Sequence, residues 1–103
     1  MKGSMSDYAY MNQDSGAVGD IYKSLYRDVA KTTVLDAKTF QFVYIAYLAS
    51  SGVLEGLNKH VREAKELGAT REEIQAVIQA GLSVGGATLA TPYRVAMESY
   101  DSE

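Results

Sequence analysis

The feature that most limits how this chain can fold is a run of seven residues, Phe42-Val43-Tyr44-Ile45-Ala46-Tyr47-Leu48, without a single charge. Coiled as a helix it is apolar on nearly every face, so it must be covered on most sides. Its β-branched and aromatic content would also suit a strand. Helix is the better reading because the segment is long, opens at the N-cap candidate Asp36 and sits between helical neighbours. It should run to about Ser51.

Those neighbours carry their own periodicity. Val18, Ile21, Tyr22, Leu25, Tyr26 and Val29 follow the spacing of an amphipathic helix, which Lys31-Thr32-Thr33 ends with weak helix formers. Ser51-Gly52 breaks the apolar helix, and a third helix is expected from about Val53 to Leu67, with Leu54, Leu57, Val61 and Ala64 facing the core and Gly68 closing it. Thr70-Arg71-Glu72-Glu73 spells a capping box, in which hydroxyl and carboxylate each take one backbone N–H, and it is the firmest boundary in the chain. The fourth helix carries Ile74, Val77, Ile78, Gly81 and Leu82 on one face and loosens at Gly85-Gly86. Gly81 is expected to mark a close helix approach. A final helix holds Leu89, Tyr93, Ala96, Met97 and Tyr100, with Thr91-Pro92 either its N-cap and first residue or a kink within a helix from near Ala87.

Residues 1–15 are polar with scattered tyrosines and no sustained period, so they read as an arm that is ordered only when docked. Within it, Met5 can serve as the start, with residues 1–4 either an appended or a native extension. Residues 16–103 then form one all-α domain, a compact bundle of five to six helices. The apolar second helix needs more cover than short amphipathic neighbours supply, and a homo-oligomer with that helix near the interface is expected.

Charge and cysteine usage narrow the function. Ten basic residues against 13 acidic ones leave a net charge of −3 with no basic cluster, which speaks against a nucleic-acid partner. No apolar stretch approaches the roughly 20 residues of a membrane span and no signal-peptide pattern opens the chain, so a cytoplasmic location without a membrane partner is expected. The chain has no cysteine, which removes disulfides, thiolate metal sites and cysteine nucleophiles together.

His60 is the only histidine and the natural acid or base, although a hydrogen-bonded, partly buried histidine explains it at least as well. Alone it makes no metal site, and no metal or other cofactor is expected. Gln41 and Tyr44, at near-helical spacing on the apolar helix, could line a small-molecule pocket with it. Tyr47 reads as packing, Glu55 as a favourable charge in a first helical turn, and the Lys59, Glu63, Lys65 and Glu66 charges as a solvated face. Gly85-Gly86 lacks the lysine and preceding strand of a phosphate loop and reads as a hinge or tight turn.

The stretch from Leu57 to Ile74, LNKHVREAKELGATREEI, resembles the carboxymuconolactone decarboxylase family of the AhpD-like group. A histidine, a short helix, Gly-Ala-Thr and then Glu-Glu-Ile stand in order, flanked by Asp36-Ala37-Lys38-Thr39 and Val84-Gly85-Gly86. The similarity covers about half the chain. In the redox members that this resembles, a glutamate and a Cys-x-x-Cys-x-x-x-His motif form a proton relay. Registered on His60, the cysteine positions fall at Val53 and Gly56 and the glutamate position at Gln41, so the resemblance implies no thiol peroxidase activity. The decarboxylase members also lack the cysteines and use no metal. Likeness to them makes His60 the catalytic candidate of a cofactor-free lyase or decarboxylase acting on a small carboxylated metabolite, with Gln41 and Tyr44 as substrate-binding groups. The alternative is a non-catalytic binding or structural module. The resemblance also implies a trimer or hexamer.

Overall fold

The computed structural model describes residues 5–102, so the question of residues 1–4 lies outside it; the described residues are helical with no strand. By their contacts they divide into two compact units, the first ending at Val34 and the second beginning at Leu35.

The first unit is a pair of helices, α1 (Asp7–Asp14) and α2 (Ala17–Thr32). Within the stretch read as an arm ordered only when docked, α1 is a regular helix packed on α2. Its N-cap is Ser6, whose hydroxyl accepts the Ala9 N–H at 3.1 Å. This local bond starts the helix without the apolar stripe that periodicity looks for. Gly16, at φ 59°, makes the turn into α2. A Cβ at Gly19 would run into the Asn12 carbonyl, so this glycine, rather than Gly81, marks a close helix approach. The α2 stripe forms as read, but Val18 and Ile21 stay 68% and 69% exposed, and Leu25 and Val29 are exposed too.

The second unit contains α3 (Ala37–Ser50), α4 (Leu57–Glu66), α5 (Arg71–Gln79), the single turn α6 (Leu82–Gly85) and α7 (Ala90–Asp101). Asp36 takes the N-cap position of α3, and the Thr39 hydroxyl is the first cause holding its carboxyl below the ordinary range. The apolar helix buries only one face, Gln41, Ile45 and Ala49, while Val43 and Tyr47 remain exposed. A 3₁₀ turn, Leu54–Gly56, precedes α4, so Leu54 misses the core face and is 38% exposed. The C-terminus of α4 closes as the glycine predicts. Gly68 has φ 98°, its N–H bonds the Lys65 carbonyl at 3.0 Å, and the Ala69 N–H returns to Ala64 at 2.9 Å.

The capping box at α5 is complete, with the Glu73 N–H to the Thr70 hydroxyl at 3.1 Å and the Thr70 N–H to the Glu73 carboxylate at 2.9 Å. At Gly81 an added Cβ would meet only ordinary contacts of 3.5 Å, because the segment has already left α5 and no second backbone comes near. Gly86, at φ 54°, opens a 3₁₀ turn, Gly86–Leu89, that leads into α7. Pro92 therefore lies in the first turn of α7, where its missing N–H has no helical partner to lose. The stretch 71–101 is long and apolar enough to cross a membrane by length and composition alone, but the breaks at Gly81 and Gly86 interrupt the continuous helix that spanning favours.

Ile45, Leu57, Val61, Ile74 and Ile78 make the centre of the core in this unit, each at most 2% exposed. Polar ties fasten its rim. Arg71 grips Asp101 through two bonds of 2.8 and 3.0 Å, Tyr100 donates to the Ala69 carbonyl at 2.8 Å, and Gln75 donates to the Tyr93 hydroxyl at 2.9 Å. Together they pin α7 onto α5 and the turn after α4.

Candidate functional site

Gln41 and Tyr44 lie three residues apart on α3 and so share a face, and α4 brings His60 against them. His60 Nδ1 is 2.9 Å from Gln41 Oε1. The Tyr44 ring lies beside the imidazole with centroids 4.4 Å apart and a tilt of 47°, and the Phe40 ring stacks with Tyr44 at 6.2 Å. All three residues picked from the sequence are thus brought into one cluster.

Glu63 belongs to it as well. One turn along α4, its Oε1 lies 3.5 Å from the same Nδ1. Reading the charges of α4 as a solvated face passes over this carboxylate, although its i, i+3 spacing from His60 was there to be seen. Both oxygens facing Nδ1 are acceptors, so they favour the tautomer with the proton on Nδ1, in which Nε2 is the basic nitrogen of a neutral ring.

Burial decides the charge state. His60 and Gln41 are each 7% exposed, and loss of water around the ring, followed by the positive charge of Lys59, lowers the His60 pKa to about 4. Near neutral pH the imidazole is therefore uncharged and the Glu63 contact is a polar contact, not an ion pair. Such a group can accept a proton or hold a hydrogen bond, but it has no proton of its own to give as an imidazolium acid.

The positions where the resemblance puts thiols are close by. Gly56 caps α4, and a Cβ there would lie 3.7 Å from His60 Cδ2 while crowding Leu48 at 3.2 Å. Val53 stands just before the 3₁₀ turn and is exposed. No thiol relay exists in this chain, since it has no cysteine.

Neither arginine considered as an anchor for a carboxylated ligand reaches the cluster. Arg94 is spent on Glu98 at 3.1 Å with its side chain 81% exposed, and Arg62 is exposed on the far side of α4. Among the described residues, no group of three or more His, Cys, Asp or Glu is placed to hold a metal. A groove of about 470 Å³ lies elsewhere, between α1 and α2, and includes none of Gln41, Tyr44 or His60 in its lining.

No curated protein and no solved structure matches the chain. The sequence pattern of the carboxymuconolactone decarboxylase family matches residues 17–96, from the first residue of α2 to within α7, and takes in the whole Gln41, Tyr44 and His60 cluster. This protein is a cysteine-free member of the carboxymuconolactone decarboxylase family.

Proposed function

We propose that the chain is a cofactor-free lyase of the decarboxylase kind acting on a small carboxylated metabolite: the carbon–carbon bond to the carboxylate breaks, carbon dioxide leaves, and the carbanion takes its proton from a solvent water that hydrogen-bonds to Nε2 of neutral His60. The observation that carries this reading is the buried 2.9 Å contact between His60 Nδ1 and Gln41 Oε1. It holds the ring in the tautomer whose Nε2 is basic, and desolvation keeps that nitrogen unprotonated near neutral pH. Gln41 orients the base and Tyr44 packs its face. A carboxylate on the substrate needs a cation; Arg94 is held by Glu98, and a second copy in a homo-oligomer is a natural source of another.

The test is turnover of carboxymuconolactone, the substrate in the family's name, followed in proton NMR by the C–H signals of the decarboxylated product. His60→Gln should abolish turnover and keep the helical content. Equal turnover by the variant would remove His60 from the reaction.

The second reading is a non-catalytic binding or structural module, favoured by the 7% exposure of both His60 and Gln41. A packed pair of this kind stabilises the core whether or not anything reaches it. The two readings part on ligand response. A binding module gains thermal stability with a saturating metabolite and turns nothing over, while a purely structural pair responds to no ligand.

A further inference from the structure

Two oxygens face Nδ1 of His60, and they are not equivalent. Gln41 Oε1, at 2.9 Å, belongs to an amide whose acceptor and donor ends have the same shape. Half a turn about the last bond of that side chain sets NH₂ against Nδ1, and the ring would then accept there and carry its proton on Nε2. Gln41 therefore holds the Nδ1–H tautomer only while it keeps its present orientation. Glu63 Oε1, 3.5 Å from the same nitrogen, belongs to a carboxylate, and an ionised carboxylate only accepts, whichever way it turns. Its side chain is 39% exposed against 9% for His60. The carboxylate thus keeps part of its water beside a ring that has lost most of its own. It reaches Nδ1 from one turn along α4, so forming that helix is enough to bring the two together.

We propose that Glu63 is a positioning residue of this site, the group that commits the His60 proton to Nδ1 and leaves the lone pair on Nε2. With the carboxylate in place, the Nε2–H tautomer would set the bare lone pair of Nδ1 against a negative oxygen. Only the Nδ1–H tautomer suits both neighbours at once. The bearing of this on catalysis rests on the lyase reading, which needs Nε2 free to hold a water, whereas the placing of the proton does not.

The test is the ¹⁵N spectrum of the imidazole in the full chain at pH 7, where burial keeps the ring neutral. Its two nitrogens have separate shifts that report which one carries the proton, and His60 is the only histidine. The parent chain should show Nδ1–H. Glu63→Ala should move the tautomer ratio towards Nε2–H by roughly threefold to tenfold, with helical content kept because alanine suits a helix. Glu63→Lys, which puts a donor where the acceptor was, should move the ratio further, and Gln41→Leu should leave the proton on Nδ1. A parent ring protonated on Nε2 overturns the proposal, as does a ratio that neither Glu63 variant changes. No substrate enters this measurement, so a chain that turns nothing over counts against the lyase reading alone. In a chain that does turn over, Glu63→Ala should lower kcat and leave KM unchanged, and an unchanged kcat would remove Glu63 from the reaction.

Discussion

His60 draws its properties from three neighbours and from the exclusion of water. Its folded pKa of about 4 lies below the ordinary 6.5, so between those values the unfolded chain binds the proton more readily than the folded one. Stability from this group is fully present above about pH 6.5 and is lost as pH falls towards 4. The whole shift is worth on the order of 3 kcal/mol. Urea denaturation at pH 7 and pH 4.5 should show the lower stability at pH 4.5, and the difference should shrink in His60→Gln. Gln41→Glu sets a carboxylate against Nδ1 and should raise the His60 pKa, read from the imidazole C2 proton in an NMR titration. Gln41→Leu removes the 2.9 Å contact at Nδ1 and should cost about 1–3 kcal/mol, read by urea denaturation. A His60 that titrates near 6.5 in the parent chain would remove the basis for both substitutions.

Among the elements, the turn between α4 and α5 is the most sharply specified. Two reciprocal bonds begin α5 and two carbonyl-directed N–H bonds finish α4, within the few residues from Ala64 to Glu73. Thr70→Ala should cost about 1 kcal/mol through loss of the cap. Gly68→Ala forces a side chain into φ 98° and should cost about 1–2 kcal/mol. Thermal unfolding of the single variants and the double variant checks both values and whether they add. In the first unit, Gly19→Ala drives a methyl into the Asn12 carbonyl. The pairing of α1 with α2 should open, seen as faster amide exchange over residues 7–14 with protection of α3 to α7 unchanged.

For the whole molecule, exposed apolar surface is the quantity that asks for an explanation. Val18, Ile21, Leu25 and Val29 form one stripe along α2, and Val43 and Tyr47 add a second on α3. An exposed apolar stripe such as that on α2 usually marks an interaction site, and a second copy of the chain is the expected occupant. Sedimentation at micromolar concentration should give a mass above that of one chain. Ile21→Glu combined with Leu25→Glu should lower the mass and leave helical content intact, since neither residue belongs to the core. A monomeric parent chain would leave the stripe to a different partner.

Local signals carried much of this fold. Helical spacing, the N-cap at Asp36, the glycine at 68 and the capping box at Thr70 depend on neighbours a few residues apart, so the sequence alone determined α2 to α5 and their order. Lacking cysteine, it also excluded thiol chemistry outright. Long-range contacts decided the remainder. Gly19 faces Asn12 across a turn, and no local pattern separates such a glycine from Gly81. The apolar α3 keeps an exposed face because exposure is set by what packs against a helix, not by its own composition. The sequence nominated His60, Gln41 and Tyr44 as residue types, but the ring's charge and tautomer follow from desolvation and from two oxygens meeting at Nδ1. Those are properties of tertiary packing, because only a folded chain removes the water and brings residue 41 to residue 60.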